Sequence, residues 1–227
     1  MRVVSLVPSV TETLSAWGLE PIACTRFCER PDLRHVGGTK NPEIADIVAL
    51  APDLVVMDVE ENRLEDSHAL EAAGIRVLAL HVDSIGGLSF QLSRLADALG
   101  AEPRIAQPPE LDPVQCRVVV PIWRRPWMTI GARTYGSTLL RSIGVENVFA
   151  ASDLPYPETT LEEMATMTPD LVLVPSEPYG FTDEHIAELS MVAQTIRVDG
   201  QDLFWWGSRT PDAVSRLRSH IAQVIQG

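Results

Sequence analysis

Arg2-Val3-Val4-Ser5-Leu6-Val7-Pro8-Ser9-Val10-Thr11-Glu12 reads as a buried strand that runs directly into a helix. Val3–Val7 is apolar apart from Ser5, Pro8 breaks the strand, and Ser9 followed by Glu12 is a capping box that starts the helix just after Pro8. The opening has an echo. Arg2-Val3-Val4 returns as Arg117-Val118-Val119, an offset of 115 residues. Pro52-Asp53-Leu54-Val55-Val56 returns as Pro169-Asp170-Leu171-Val172-Leu173, an offset of 117, and Ile75-Arg76-Val77 as Ile196-Arg197-Val198, an offset of 121. Each string alone is noise; three in one order at nearly one offset imply two lobes of like topology.

Around these anchors, short apolar runs alternate with helical periodicity, the pattern of βα units and mostly parallel sheet. Strands are expected at Arg2–Val7, Ile22–Thr25, Leu54–Asp58, Val77–Val82, Arg117–Ile122, Leu171–Val174 and Ile196–Val198. Helices are expected at Val10–Trp17, Pro42–Leu50, Arg63–Ala73, Ile85–Leu99, Ser137–Ile143, Leu161–Met167, Asp183–Leu189 and Asp212–Ile225. Gly18, Gly74, Gly100 and Gly144 each stand where a helix should stop. Ala101–Cys116 carries prolines at 103, 108, 109 and 113, too many for a helix interior, so it reads as an extended crossover. The expected organisation is an N-terminal α/β lobe (1–100), a Pro-rich linker (101–116) and a C-terminal α/β lobe (117–227), with a ligand cleft between the lobes.

Composition narrows the function. The chain has 227 residues, 45% hydrophobic and 22% charged, with a formal charge of −13. Lys40 is its only lysine. Such acidity repels a phosphate backbone, which argues against nucleic acid as a partner. No window approaches the ~18 apolar residues needed to cross a bilayer, so no membrane insertion is expected. Cys24, Cys28 and Cys116 are odd in number and at no metal-like spacing, which excludes a disulfide framework. His35, His68, His81, His185 and His220 are scattered, and no protein-ligated metal is expected.

In open α/β sheets ligands bind where strands end and helices begin. The segments there include Ser9, Thr11 and Glu12, then Thr39 and Lys40, Glu61-Asn62-Arg63, Trp123–Trp127, Tyr156, Ser176–Phe181 and Leu203–Arg209. Ten of the thirteen aromatics lie in the second lobe, mostly at strand ends or in loops. Rings beside arginine suit a flat, partly apolar ligand with anionic edges. Bland readings stand beside this one. Rings plug cores, Ser9 and Thr11 cap a helix, Cys28 is a small buried hydrophobe, His185 sits on the surface or caps, and arginines balance carboxylates.

The same residues resemble the helical-backbone metal-receptor superfamily, which includes substrate-binding proteins for siderophores, haem and cobalamin. The resemblance rests on Arg2–Glu12, Thr25-Arg26-Phe27-Cys28, Gly37-Gly38-Thr39-Lys40-Asn41-Pro42, Ile47–Val56 and Glu60–Asp66. It continues through Trp123–Gly131, Thr134-Tyr135, Asn147-Val148-Phe149, Ser176-Glu177-Pro178-Tyr179 and Trp206–Thr210. It implies a bilobal α/β receptor that binds without catalysis, with no covalent cofactor and with a corrinoid or other metal chelate as ligand. Tyr156-Pro157 matches a cleft Trp-Pro of the family, and Glu162 matches one of two glutamates that dock on an ABC permease. Where the second glutamate belongs this chain has Ala45, so permease docking is expected to fail. The family's long inter-lobe helix is here shortened or replaced by the Pro-rich crossover. Met1, taken as the natural start, leads straight into a strand and places the protein in the cytoplasm; otherwise the resemblance implies the periplasm or cell surface.

The ligand set expected on these grounds is Ser9, Thr11, Glu12, Phe27, Cys28, Thr39, Lys40, Glu61, Asn62, Arg63, Trp123, Arg124, Trp127, Tyr135, Tyr156, Glu177, Tyr179, Phe181, Trp206 and Arg209. The alternative is a cytoplasmic enzyme or cofactor-handling protein on the same scaffold, using Glu12, Glu60, Glu61 and Glu177 as acid–base groups. It would show a strongly shifted carboxylate beside a polar pocket. A domain that only binds another protein would show an exposed apolar patch.

Overall fold

The computed structural model describes residues 1–102 and 111–226. The proline-rich core of the expected crossover, 103–110, lies outside the described residues. The described chain forms two compact units. The first comprises Met1–Val82, residues 87–102 and Trp206–Arg209; the second comprises Asp83–Gly86, residues 111–205 and 210–226.

In the first unit, β1 (Val3–Ser5), β2 (Ala23–Cys24), β3 (Arg34–His35), β4 (Leu54–Asp58) and β5 (Val77–Leu80) make an all-parallel sheet in the order β3-β2-β1-β4-β5. Helices α1 (Pro8–Ala16), α2 (Ile44–Ala49), α3 (Leu64–Ala72) and α4 (Leu88–Leu99) flank it. Ile47 of α2 and Leu70 of α3 share one core with Val4, Val55 and Met57 of the sheet. The continuous apolar runs of β1 and β4 are the composition of strands buried on both faces.

In the second unit, β6 (Cys116–Val119), β9 (Val145–Asn147), β11 (Leu171–Pro175) and β12 (Gln194–Val198) are parallel, in the order β12-β11-β6-β9. A small antiparallel sheet joins β7 (Pro121–Trp123), β8 (Trp127–Thr129) and β10 (Glu158–Thr159). The helices are α5 (Tyr135–Ser142), α6 (Leu161–Thr166), α7 (Asp183–Leu189), α8 (Gly200–Phe204) and α9 (Thr210–Gln226). Side chains cap four of them. Thr134, Thr160, Thr182 and Asp199 each accept an N–H of the first turn.

The echo is structural. β1, β4 and β5 occupy the same places in the first sheet as β6, β11 and β12 in the second. Even the latch is repeated. Asp53 Oδ2 accepts the Arg2 N–H at 2.6 Å, and Asp170 Oδ2 accepts the Arg117 N–H at 2.7 Å. Each arginine then reaches back to a carbonyl at the end of the preceding helix, Leu50 at 2.8 Å and Thr168 at 3.2 Å.

Three sequence expectations are corrected. Helix α1 begins at Pro8, not after Ser9. Proline has no N–H to waste at the first helical position, so it starts the helix, and Ser9 lies inside the first turn with no capping role. The stretch Trp123–Trp127 is not irregular loop but the hairpin of β7 and β8. Trp206–Arg209, expected in the second lobe, packs with the first unit. The Ser208 N–H donates to Thr13 Oγ1 at 3.1 Å, and Gly207, at φ 120°, lies so close that a Cβ would collide with that oxygen. The helix stops hold: Gly18, Gly74, Gly100 and Gly144 all have positive φ. Gly100 at φ 64° ends α4 after Leu99, so no long helix continues from it.

Candidate functional site

Parallel strands share one carboxyl edge. In the first unit that edge carries the loops after β1, β2, β3 and β4, and a buried asparagine ties three of them together. Asn62 Oδ1 accepts the Asp58 N–H at 2.8 Å, while its Nδ2 donates to Leu6 O at 3.2 Å and Thr39 O at 2.9 Å. Asn62 is 6% exposed, so its role is to hold the edge together. Asp58 builds the same turn, its Oδ1 accepting the N–H groups of Glu60 and Glu61 at 2.8 and 3.2 Å. Burial pushes the Asp58 carboxyl up to about 6, against those two amide donors. Lys40 Nζ donates to Glu60 O at 2.5 Å.

The remaining expected residues of this unit divide by exposure. Phe27 is 52% exposed, with the Arg26 guanidinium 4.9 Å from its ring centroid. Lys40 is exposed, and Thr39 and Glu61 are half-buried. Ser9, Thr11, Cys28 and Trp206 are buried. Thr11 Oγ1 donates to Val7 O at 3.1 Å and meets Cys28 Sγ at 3.2 Å. Arg63 is held bidentately by Asp66, both bonds at 2.9 Å. Arg209 Nε bonds both oxygens of Glu12, at 3.1 and 2.8 Å, fixing the Trp206–Arg209 segment to α1.

In the second unit the hairpin and the loop after β11 bring the expected rings together. Trp123 meets Tyr179 edge-on at 5.0 Å, Tyr179 lies 4.9 Å from Phe181, and Phe181 stacks on Trp127 at 6.0 Å. Phe181 is buried, Trp127 and Tyr179 are half-buried, and Trp123 keeps 45% of its surface exposed. The cluster thus has a core end and an open end. His185 joins it, 5.7 Å from Tyr179 and 6.5 Å from Trp127. It also caps α7, its Nδ1 accepting the Thr182 N–H at 3.1 Å.

Other members are absorbed by the fold. Arg124 forms a fork on Glu188 at 2.9 and 2.6 Å and lies 5.3 Å from the Trp127 centroid. The expectation of a guanidinium open to an anionic edge is therefore corrected. Glu188 is the partner of Arg124 that sequence reasoning missed; it lies 64 residues away, and no local signal marks it. Tyr135 is buried with its hydroxyl 2.8 Å from Thr210 Oγ1. Glu177 accepts Trp205 Nε1–H at 2.7 Å. Tyr156 is 37% exposed, and Glu162 is exposed in the first turn of α6.

Among the described residues no three His, Cys, Asp or Glu side chains gather to hold a metal ion. No helix there is long and apolar enough to cross a membrane. Asp58, whose carboxyl burial pushes up, is buried within its own turn.

No family model matches the chain. It is similar to the vitamin B12-binding protein of Salmonella choleraesuis (strain SC-B67), with 27% identity over 191 residues, 76% of this chain and 71% of that protein. The vitamin B12-binding protein of Vibrio campbellii is 23% identical over 191 residues, 75% of this chain and 69% of that one. Among solved structures, the periplasmic vitamin B12 binding protein BtuF of Vibrio cholerae superposes with a TM-score of 0.76 at 19% identity, over 99% of this chain and 97% of that one. The periplasmic heme-binding protein BhuT, in complex with two hemes, gives 0.78 at 20% identity, over 99% and 98%. The chain has the two-lobe α/β fold of these periplasmic binding proteins, and its resemblance to the cobalamin-binding type of the helical-backbone metal-receptor superfamily is borne out in sequence and in fold.

Proposed function

We propose that this protein is a non-catalytic receptor for a flat metal chelate, a corrinoid or a porphyrin. The observation that carries the reading is the ring cluster Trp123–Tyr179–Phe181–Trp127, closed at its core end and open at Trp123, in a chain similar to vitamin B12-binding proteins over three quarters of its length. Stacked and edge-on rings give a rigid apolar face at little entropic cost, which suits a conjugated macrocycle. Trp123, Tyr179 and Tyr156 are the rings we assign to the ligand. In the first unit the accessible expected residues are Phe27, Thr39, Lys40 and Glu61.

The enzyme alternative is not favoured. The relatives are named as binding proteins. The cytoplasmic reading tied to Met1 finds no support in the relatives, whose solved structures are periplasmic, and we infer the same location here. Absorption spectra and native mass spectra of protein incubated with cyanocobalamin, cobinamide or haemin test the proposal. A stoichiometric complex with one of them, weakened by Trp123→Ala, supports it. Folded protein that retains none of the three contradicts it.

A further inference from the structure

We infer that His185 is a proton-operated switch on the ring cluster of the second unit: neutral, it caps α7 and braces the rings; charged, it releases the cap and turns from its place among them. The switch is a property of the protein alone, and its consequence for binding rests on the chelate reading above. His185 is the third residue of α7 and is half-buried. It shares a capping box with Thr182, whose hydroxyl accepts the His185 N–H while the His185 ring accepts the Thr182 N–H. The second of these bonds spans 3.1 Å to Nδ1. A backbone N–H can only donate, so Nδ1 is the acceptor and the ring carries its proton on Nε2.

A second capping box in the same chain supplies the contrast. At α6, Glu163 Oε2 accepts the Thr160 N–H at 2.8 Å. Glutamate is the usual residue at this position, and it remains an acceptor at any pH above the carboxylate range. Histidine accepts only while it is uncharged, because both nitrogens of an imidazolium are donors. Histidine is also the side chain whose ordinary charge change falls between pH 5 and 8. Protonation therefore sets two N–H groups against each other at α7 and changes nothing at α6.

The imidazole cannot turn without moving its neighbours. Its centroid lies 5.7 Å from that of Tyr179, 6.2 Å from Phe181 and 6.5 Å from Trp127, three of the four rings of the cluster. Tyr179 and Phe181 belong to the loop between β11 and α7, and the capping box fixes the end of that loop. Release of the cap frees the loop end and takes one wall from the rings. The charged groups around the imidazole are Asp183, Glu184 and Glu188 of α7, Arg124 and Arg125 of the hairpin and Arg197 of β12, with the Tyr179 hydroxyl in the loop. Glu188 attracts the charged ring and is itself held by Arg124 at 2.6 Å, while Asp183 is paired with Arg197 at 3.0 Å. These charges tune the switch; the mutual exclusion of proton and cap at Nδ1 follows from the geometry.

Nuclear magnetic resonance of the ligand-free protein at pH 8 and pH 5.5 tests this. At pH 8 the ring nitrogen resonances of His185 should place the proton on Nε2. On acidification the Thr182 amide should lose protection from hydrogen exchange by at least about fivefold, after correction for intrinsic rates, while the Thr160 amide keeps its own. His185→Gln keeps an acceptor at the same position and removes the titration, so its Thr182 amide should be equally protected at both pH values. A proton on Nδ1 at pH 8, or a Thr182 amide no more sensitive to pH than Thr160, overturns the proposal within the wild type, whether or not the variant folds. A loss of protection that persists in His185→Gln comes from another titrating group, such as Asp58, and overturns it too. Because no ligand is present, these failures are distinct from failure of the chelate reading, in which none of cyanocobalamin, cobinamide and haemin is retained at pH 8. Whichever of the three is retained should bind about threefold or more weaker at pH 5.5 than at pH 8, and the same ratio in His185→Gln would contradict the link to binding.

Discussion

Replacing Asn62 by Ala should loosen the carboxyl edge of the first unit while leaving its strands intact. The side chain is 6% exposed and makes three hydrogen bonds, from the Asp58 N–H and to Leu6 O and Thr39 O. Truncation leaves one buried donor and two carbonyls without this partner. At about 1 kcal/mol for each bond, the loss is about 3 kcal/mol. For a chain of this size, roughly 2–4 °C accompany each kcal/mol, so the melting temperature should fall by roughly 6–12 °C. Scanning calorimetry at pH 7 reads this directly. Asn62→Asp is the informative companion. It keeps an acceptor for the Asp58 N–H but removes both donors and adds a charge beside Asp58, so it should destabilise at least as much. An Asn62→Ala variant melting within about 2 °C of the wild type would show that the asparagine does not hold these loops.

Further outcomes follow from single contacts. Because burial lifts the Asp58 carboxyl from 3.8 to about 6, with Glu60 pushing it up and His81 pulling it down, the native state binds its proton more tightly than the unfolded chain. Its contribution to stability is therefore full below about pH 4 and is lost as pH rises through about 6. Asp58→Asn should then gain on the order of 2–3 kcal/mol over wild type at pH 8 and little at pH 4, and an equal gap at both would refute this. Gly207→Ala, strained at φ 120° and driven against Thr13 Oγ1, should cost about 2 kcal/mol or more; an unchanged melting temperature contradicts the packing described. Ala45 is exposed and the neighbouring Asp46 is bound to Arg34 at 3.0 Å, so Glu162 is left without its expected counterpart. No micromolar or tighter complex with a reconstituted cobalamin-type permease should form, and surface plasmon resonance showing one would overturn that expectation.

What the sequence disclosed was whatever short-range pattern encodes. The apolar runs of β1, β4 and β11 are strands buried on both faces, and Gly18, Gly74, Gly100 and Gly144 end helices because positive φ there favours glycine. The internal echo was legible because both copies keep the Asp–Arg latch that positions the strand. The small antiparallel sheet was not, since strands of two or three residues carry no period. Helix α8 was missed because Gly200 reads as a breaker, although Asp199 caps it. The site was legible as residue types and not as partners. Arg124 and Arg209 looked free for a ligand, yet Glu188 and Glu12, 64 and 197 residues away, hold them. Such pairings arise only when the chain folds.

The central claim is that the ring cluster of the second unit receives a flat metal chelate. Titration calorimetry of the folded protein with cobalamin, cobinamide, haem and a ferric siderophore tests it most directly, with Trp123→Ala and Tyr156→Ala beside the wild type. Saturable binding of a tetrapyrrole, weakened by about 2 kcal/mol or thirtyfold on loss of one ring, is the predicted result. No heat from any of the four would contradict the chelate reading, and binding indifferent to both substitutions would contradict the site.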